Sequence, residues 1–452
     1  MKRLRVAINA QLMPDGPSGG AVTALRALAA LAELEDGDEE YVFIGPYEDP
    51  EWMRPLLLPG SRIVAGPKFG PAAGSRFNRL ESFKRRLGPL RPVARGIKQF
   101  VAGQAQTRVA AVSSKSDLAT QIAPSTPRSF FQSLECDVIH FPFQSFEACG
   151  VPSVFNPHDL QHLHFSEFFT PAEISRRENL YPAACRAAHT VVVASQFVKR
   201  DVVERYGVES KRVQVIPWAP PPLPQLPKET DEVTIRPLLR KYKLADGPFA
   251  LYPAMTWEHK NHLRLLEAVA YLRDREALDV RVICTGSRTD FWPRIERRLN
   301  ELGLNDVVKF PGLVPFDELN ALYRAAQFVF VPTLFEAASA PVFEAWQHGA
   351  AVACSTVTSL PEQVADAAFL FDPFSVQEIA SALARMTTDL RLREDLRLRG
   401  TRRLKDFSLE RTAKAYRAVY RQAAGRRLNE EDREILEWDW MQGSGPEIEV
   451  RG

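Results

Sequence analysis

Several common signals are missing from this sequence of 452 residues. Its 5 cysteines lie far apart and form no C-x-x-C pair, which excludes a zinc ribbon and a disulfide framework and favours a reducing compartment. No window reaches about 18 uninterrupted apolar residues, and the apolar run after the N-terminal MKRLR is too short for a signal peptide. The sequence therefore predicts a cytoplasmic protein without a transmembrane helix.

A large excess of one charge is also missing, because 58 Lys and Arg residues oppose 56 Asp and Glu residues. The resulting net charge of +2 gives no reason to expect nucleic acid as a partner. The hydrophobic fraction of 45% and the charged fraction of 25% are typical of a globular protein and exclude a disordered or collagen-like chain. One segment differs, since residues 62–128 hold 13 Lys and Arg residues against only Glu81 and Asp117.

Short apolar runs alternate with helical patterns along the chain, which predicts parallel sheets built from β-α-β units. The stretch 218–232 separates two series of runs, and its prolines can continue neither a helix nor a central strand. We predict an α/β fold of two Rossmann-like domains that face each other across a cleft. The predicted segments are a first domain 1–217 with a basic insertion at about 62–128, a linker 218–232, a second domain 233–424 ending in helices, and an acidic tail 425–452 whose last ten residues are disordered. The predicted strands are 4–9, 41–44, 138–141, 151–156, 190–194 and 213–216, then 249–252, 280–284, 307–310, 328–331, 350–353 and 368–371.

Glycine-bearing loops follow predicted strands in both halves. Gly19 and Gly20 end the first loop, NAQLMPDGPSGG, where backbone N–H groups and a helix N-terminus can approach an anion. The loop matches neither G-x-G-x-x-G nor G-x-x-x-x-G-K-[ST], so dehydrogenase and P-loop interpretations lose their main support. A turn that needs positive φ explains the two glycines equally well. Gly286 and Ser287, in TGSRTD, form a second such loop.

Charged residues in the second half are placed to meet an anion and hydroxyl groups. Lys260 lies between a predicted strand and an apolar helix, where it could neutralise a diphosphate, although a solvated surface lysine is the commoner case. Glu336 lies in a loop after a strand, and Glu344 follows eight residues later in a helix that Pro341 can open. Both carboxylates could accept hydrogen bonds from the vicinal diols of a sugar or a ribose. Glu344 could equally be a carboxylate that only stabilises the helix dipole.

Four motifs in order resemble one known family. They are NPHDLQHLHFSEFF, YPAMTWEHKNHLRLLEA, the E-x7-E pair Glu336 and Glu344, and SLPEQVADAAFLFDP. Residues 1 to about 420 resemble the retaining glycosyltransferases of family 4, which adopt the GT-B fold and include sucrose synthases, bacterial glycogen synthases and polysaccharide mannosyl- and glucosyltransferases. The resemblance implies a hexosyltransferase that uses a nucleoside-diphosphate sugar as substrate and needs no metal and no cofactor.

The resemblance also implies roles for individual residues. Lys260 would bind the donor diphosphate, Glu336 would contact hydroxyls of the transferred sugar, and His158 would lie near the anomeric carbon. Glu344 would hold the ribose, and the loop 312–314 would border the base. The remaining implied donor-binding residues are Gly19, Gly20, Gly286, Ser287, Val314, Ser339, Ala340 and Pro341.

Three features depart from the family pattern. The family carries an arginine about five residues before its lysine, where this chain has Met255. The family's E-G-F-G-L-P reads Glu336-Ala337-Ala338-Ser339-Ala340-Pro341, so both glycines have been replaced. The first half also holds the long basic insertion. Two other functions therefore stay open: a nucleotide-sugar epimerase of the same fold, and a degenerate protein that binds a nucleotide sugar without catalysis.

Two clusters allow more than one interpretation. His158 and His162 could share a helical face and bind a metal, but His164 could not join them, so a sugar contact by His158 is favoured over a metal site. Residues 80–100 alternate apolar and basic positions at helical spacing. That segment either packs on the first sheet or docks on anionic lipid at the inner face of the membrane, bringing the cleft to a lipid-linked saccharide.

Overall fold

The computed structural model describes residues 3–12, 19–34, 36–59, 61–67, 129–220, 231–242 and 247–441. Within them the strands form two parallel sheets. Most of the strands are apolar runs covered on both faces, as is typical of parallel sheets, and Val6, Ala7 and Ile8 of the first strand are fully buried. The predicted α/β fold with two Rossmann-like sheets is confirmed.

The first sheet has seven strands in the order β3-β2-β1-β4-β5-β6-β7. Val6 of β1 lies opposite Tyr41 of β2 and Val138 of β4, so β1 lies between these two strands. The strands are β1 (Leu4–Asn9), β2 (Glu39–Gly45), β3 (Arg62–Ala65), β4 (Val138–Phe141), β5 (Ser153–Phe155), β6 (Thr190–Val193) and β7 (Val213–Val215). The helices of this half are α1 (Gly19–Ala29), α2 (Ser129–Ser133), α3 (Pro171–Ala187) and α4 (Gln196–Tyr206), with 3-10 turns at Ala30–Glu33, Pro50–Leu56, Gln161–Leu163, Ser166–Phe168 and Ser210–Arg212.

The second sheet has six strands in the order β10-β9-β8-β11-β12-β13. The strands are β8 (Ala250–Pro253), β9 (Val282–Thr285), β10 (Val308–Gly312), β11 (Phe328–Val331), β12 (Ala351–Ser355) and β13 (Phe369–Phe371). The helices are α5 (Asp231–Lys241), α6 (His262–Glu276), α7 (Trp292–Glu301), α8 (Phe316–Ala325), α9 (Ala340–Gln347), α10 (Leu360–Val364), α11 (Val376–Thr388), α12 (Leu390–Leu404), α13 (Leu409–Ala423) and α14 (Glu430–Glu437), with 3-10 turns at Glu258–Lys260 and Lys405–Phe407.

Each sheet has one point where the strand order reverses, between β1 and β4 and between β8 and β11. Ligands of such sheets bind in the crevice beyond the carboxyl ends of the strands at this point. The loop after β8 carries Lys260 and the loop after β11 carries Glu336. The sheet order therefore brings these two residues to one crevice.

The structure differs from the predicted elements in a few places. Every predicted strand is present with ends that differ by no more than two residues. The edge strand β3 was not predicted, because its four residues are partly exposed and form no long apolar run. The predicted linker 218–232 is described only at its two ends, and α5 begins within it at Asp231.

The helix α13 packs on the first sheet, although the sequence assigns residues 233–424 to the second domain. Tyr416 and Tyr420 of α13 reach Asn156 and His140, which belong to the first half. The apolar face of α13 is buried there because the chain crosses back after the second sheet is complete. The structure describes the acidic tail as far as Met441, and Arg403 donates hydrogen bonds to the Trp440 and Met441 carbonyl oxygens. The last ten residues, which the sequence predicts to be disordered, lie outside the described residues. None of the described helices combines the length and apolar character needed to cross a membrane.

Candidate active site

A cavity of about 490 Å³ is lined by residues that follow strands of both sheets. We name its two sides by their residues. The N-terminal wall consists of Phe143, Gln144, His158, Asp159, Gln161 and Trp218. The C-terminal wall consists of His259, Phe335, Glu336, Ala337 and Ala338.

Lys260 is held by a tightly anchored loop after β8. The buried Tyr252 hydroxyl donates a hydrogen bond to the Lys260 carbonyl oxygen at 2.9 Å. The next residue, Asn261, adopts a left-handed conformation with φ of 61°, and its Nδ2 donates to the carbonyl oxygens of Pro332 and Pro373 at 2.9 Å each. These bonds tie the lysine loop to the loops after β11 and β13. Asn tolerates this conformation, and its side chain donates to both carbonyl oxygens, so Asn261 fixes the backbone beside the lysine.

Lys260 and Glu336 form an ion pair at the reversal point of the second sheet. Lys260 Nζ lies 2.5 Å from Glu336 Oε1, with 18% and 11% of the two side chains exposed. The backbone of Glu336 is fixed as well: its N–H donates to Thr358 Oγ1, and its carbonyl oxygen accepts from the Thr358 and Ser359 hydroxyls. The two predicted residues are thus in direct contact, and Glu336 lines the cavity.

The helix α9 begins directly after this loop. Ser339 and Gln363 exchange two hydrogen bonds, from Ser339 N–H to Gln363 Oε1 at 2.8 Å and from Gln363 Nε2 to the Ser339 carbonyl oxygen at 2.9 Å. The Ser339 hydroxyl is buried and has no hydrogen-bond partner in the described part of the chain. The sequence predicts Pro341 as the first residue of this helix. The helix begins one residue earlier, at Ala340, and Pro341 is its second residue.

Glu344 lies farther along α9 and does not line the cavity. The Tyr323 hydroxyl of α8 donates to Glu344 Oε2 at 2.5 Å. Burial raises the pKa of Glu344, and the Tyr323 hydrogen bond acts against that rise. The carboxylate is therefore held in place by a hydroxyl that sequence inspection did not single out.

The loops after β9 and β10 lie against the lysine loop. Gly286 has φ of 127°, and a Cβ there would lie 2.5 Å from the Ala254 carbonyl oxygen, so glycine is required. The Gly286 N–H donates to the Gly312 carbonyl oxygen, and the Ser287 carbonyl oxygen accepts from Thr256 N–H. Val314 is buried. Gly286, Ser287 and Val314 support the site but do not line the cavity.

His158 faces the cavity from the first sheet with an unusual backbone conformation. Its φ of 62° is rare for a residue other than glycine and is a form of strain that is concentrated at functional sites. The ring lies between Phe143 and Trp218, with ring centres 6.3 Å from each. Burial lowers the pKa of His158, while Asp159 acts in the opposite direction. The imidazole is therefore neutral near pH 7.

Gly19 and Gly20 are the first two residues of α1, and the next residue, Ala21, lines the cavity. Most of the preceding loop, residues 13–18, lies outside the described residues, as does the basic segment from residue 68 to residue 128 that includes 80–100.

The other two histidines of the cluster have protein partners. His162 Nε2 lies 2.7 Å from Glu178 Oε1, and His164 Nε2 lies 2.6 Å from Asp201 Oδ2. Among the residues that the structure describes, no group of three or more His, Cys, Asp or Glu side chains could hold a metal ion. In the described residues His162 is therefore paired with Glu178 and not with His158.

Sequence reasoning missed most of the rings and amides of the cavity. Phe143, Gln144, Gln161 and Trp218 on one wall and Phe335 on the other were not singled out. Gln161 follows the His-Asp pair by two residues, which is the one local signal available. Aromatic and amide residues are common in cores and loops, so neither type stands out in one sequence.

Two family models together match most of the chain. Residues 18–219 match the family model "Glycosyltransferase Family 4", and residues 248–389 match "Glycosyl transferases group 1". The chain is 28% identical to O-antigen chain mannosyltransferase B of Escherichia coli over 272 residues, which are 58% of this chain and 69% of that protein. It is 32% identical to an MMP alpha-(1->4)-mannosyltransferase of Mycolicibacterium hassiacum over 36% of this chain and 40% of that protein.

Solved structures share the fold at low identity. Sucrose-phosphate synthase from Thermosynechococcus elongatus aligns with a TM-score of 0.64 and 19% identity, over 93% of this chain and 99% of that chain. HepE of Anabaena in complex with UDP and glucose aligns with a TM-score of 0.61 and 15% identity, over 93% of this chain and 100% of that chain. These alignments extend over both sheets.

Proposed function

The chain belongs to the glycosyltransferases that combine a family 4 domain with a group 1 domain in the GT-B fold. From this premise we propose that it transfers a hexose, with mannose favoured, from a nucleoside-diphosphate sugar to a saccharide or a lipid-linked saccharide, with retention of anomeric configuration. The step would belong to glycan or polysaccharide biosynthesis. The observation that carries the proposal is the Lys260–Glu336 ion pair at the sheet reversal point, where Glu336 and His158 line one cavity from opposite sheets.

In this proposal the C-terminal half binds the donor. Lys260 exchanges part of its contact with Glu336 for the donor diphosphate, and the N-terminus of α9 adds N–H groups toward the same charge. Glu336 then accepts hydrogen bonds from hydroxyls of the transferred sugar. Glu344, held by Tyr323, accepts hydrogen bonds from the ribose. Gly286, Ser287 and Val314 shape the surface on which the base lies.

The reaction itself needs no enzyme nucleophile in this proposal. The acceptor oxygen forms a bond to the anomeric carbon while the bond from that carbon to the diphosphate oxygen breaks. The acceptor proton passes to the departing diphosphate on the same face of the sugar, so the configuration is retained. Lys260 stabilises the negative charge that develops on the leaving group, a type of electrostatic contribution that is often the largest in catalysis. Neutral His158 can hydrogen-bond near the anomeric carbon.

The choice of sugar is supported by the relatives, because O-antigen chain mannosyltransferase B and the MMP mannosyltransferase both carry mannosyl transfer in their names. The nucleotide is less constrained, since HepE is described with UDP and with UDP-glucose. We propose that the nucleotide sugar is a substrate and that the enzyme uses neither a cofactor nor a metal.

The test uses the purified full chain with GDP-mannose, UDP-glucose and ADP-glucose. A donor present at 100 times its Kd should stabilise the protein by about 2.7 kcal/mol in a thermal-shift assay. The stabilising donor is then incubated with p-nitrophenyl α-D-mannopyranoside, and the anomeric configuration of the product is read by NMR. We expect an α-linked product. Stabilisation without transfer would favour a binding protein, and conversion of the donor sugar without acceptor would favour an epimerase.

We also propose that the enzyme works at the inner face of the membrane through residues 80–100. Liposome co-sedimentation tests this proposal, because docking by basic residues should require anionic lipid and weaken with salt. Replacing Arg85, Arg86, Arg91 and Arg95 with Gln should abolish the binding. Absence of binding at low salt would favour a soluble acceptor.

A further inference from the structure

The N-terminal wall combines aromatic rings with amide side chains. Phe143 and His158 are nearly parallel, with an interplanar angle of 27°, and Trp218 continues the row at 40° to His158. Trp218 in turn stacks on the buried Tyr416 with ring centres 5.0 Å apart. Phe143, His158 and Trp218 all line the cavity and give its N-terminal wall apolar area. The C–H face of a pyranose ring can pack on such a surface, and the dispersion contacts add to the burial of apolar area.

The carboxylates of the cavity already have cationic partners. Asp159 Oδ1 accepts a hydrogen bond from Arg177 Nη1 at 2.9 Å, and Glu336 is paired with Lys260. None of the described residues that line the cavity is a lysine or an arginine. Because Lys260 is assigned to the donor diphosphate, a phosphate group on the acceptor would have to displace Asp159 from Arg177, next to a neutral His158.

Gln161 leaves one hydrogen-bond donor without an acceptor at this wall. The residue is only 8% exposed, and its Nε2 is buried without a partner in the described part of the chain. Its backbone is fixed, because its N–H donates to Asp159 Oδ1 and its carbonyl oxygen accepts from the N–H groups of His164 and Phe165. A buried amide donor without an acceptor is costly, so a ligand oxygen that accepts from it gains selectivity as well as affinity.

We infer that the acceptor is the uncharged, unphosphorylated hexopyranose end of a saccharide, which packs on the Phe143–His158–Trp218 row while one of its hydroxyl oxygens accepts a hydrogen bond from Gln161. This inference rests on the proposed function, because it assigns the acceptor of that same reaction. Gln161 thus determines acceptor specificity and takes no part in donor binding.

The first test compares two acceptors on the wild-type enzyme. The probes are p-nitrophenyl α-D-mannopyranoside and its 6-phosphate, each with the donor that stabilises the protein. We expect kcat/KM to be higher for the neutral acceptor. Equal or better use of the 6-phosphate overturns the inference while leaving the proposed function intact. Failure of both probes with all three donors counts against the proposed function instead.

The second test replaces the amide. Gln161→Leu should raise the KM of the neutral acceptor by about threefold to tenfold, the equivalent of one neutral hydrogen bond, with the donor KM unchanged. Gln161→Glu keeps the size but removes the donor group and should show the same loss. The matched control is Gln132→Leu, an exposed glutamine on α2, which should change neither constant. A rise in donor KM, or wild-type acceptor KM in both Gln161 variants, overturns the assignment.

Discussion

The C-terminal wall of the cavity is tied to loops of its own sheet, whereas the N-terminal wall depends on a helix from the far end of the chain. Asn261 bridges the loops after β8, β11 and β13, and the Ser339–Gln363 pair joins the loop after β11 to α10. All of these partners lie within the second half of the chain. These hydrogen bonds therefore need no residue of the first half, although the Phe335 ring of this wall packs against His164 and Phe197 there.

The N-terminal wall has a different support. His140 Nε2 lies 2.5 Å from Asn156 Oδ1, and because that oxygen can only accept, Nε2 carries the proton and Nδ1 accepts from the Tyr420 hydroxyl at 2.8 Å. Burial lowers the pKa of His140 to about 3, so the ring stays neutral. Asn156 Nδ2 donates to the Tyr416 hydroxyl at 3.0 Å. Helix α13 thus completes a buried network that is connected to His158 through the stack of Tyr416 on Trp218.

The proposed donor and acceptor sites therefore differ in the part of the chain that supports them. The residues proposed to bind the donor lie in loops of the second sheet. The N-terminal wall, proposed to bind the acceptor, combines residues 143–161 with Trp218 and is supported by α13. Changes to α13 should therefore affect the acceptor more than the donor. Changes to the Lys260 loop should affect the chemistry common to all acceptors.

The largest expected effect follows from Lys260→Ala. The variant removes the charge proposed to stabilise the leaving diphosphate and leaves Glu336, 11% exposed, without its cation. We expect kcat to fall by roughly 100-fold to 1,000-fold, comparable to the loss of an oxyanion-hole donor. Steady-state kinetics with saturating acceptor measure it, and Lys211→Ala, an exposed lysine far along the first half, is the control. Near wild-type kcat would exclude Lys260 from the reaction.

Glu336→Gln should have the next largest effect. The variant keeps the shape of the side chain but loses the charge that would strengthen hydrogen bonds to the sugar as positive charge develops at the anomeric carbon. We expect kcat to fall about 10-fold to 100-fold, the equivalent of a hydrogen bond to a charged group, with little change in donor KM. A rise in KM alone would mean that Glu336 only binds the ground state.

Tyr416→Phe tests the other wall. It removes the acceptor of the buried Asn156 Nδ2, which should lower the free energy of unfolding by about 1–3 kcal/mol. Without this hydrogen bond the ring that stacks on Trp218 is less firmly held, so we expect the acceptor KM to rise while the donor KM stays unchanged. Thermal denaturation and two-substrate kinetics measure both, with Tyr271→Phe on α6 as a control from the second half. An equal rise of both KM values would contradict the division between the walls.

Tyr323→Phe should give a smaller effect on the donor side. Losing the hydroxyl frees Glu344 from its 2.5 Å hydrogen bond, so we expect the donor KM to rise by about threefold to tenfold with kcat nearly unchanged. The variant should also change the pH dependence of donor binding. Burial already raises the pKa of Glu344 and the Tyr323 hydrogen bond lowers it, so the pKa of Glu344 rises further in the variant. As the pH falls, Glu344 is then protonated, and donor binding lost, at a higher pH than in the wild type. Donor KM measured from pH 5 to pH 8 tests it, and an unshifted profile would contradict this coupling.

The parts of the site that follow buried strands could be predicted from the sequence. Lys260 and Glu336 each lie in a loop after an apolar run, and the parallel sheet brings them together although they are 76 positions apart. Gln161 could not be predicted, because an amide without a partner is a property of packing. The place of α13 could not be predicted either, since a helical stripe reveals a buried face but not the sheet that covers it.

The smallest expected effect is that of EDTA, which should leave the rate unchanged. If Lys260 and the N-terminus of α9 supply the positive potential for the diphosphate, no divalent cation is required, because the protein charge acts at the same place. The experiment compares initial rates in EDTA with rates after addition of Mg²⁺ or Mn²⁺, using the same donor and acceptor. Loss of activity in EDTA with rescue by either ion would show that Lys260 and the N-terminus of α9 alone do not neutralise the donor diphosphate. It would also support a metal site at His158 and His162, although a metal there would first have to separate His162 from Glu178.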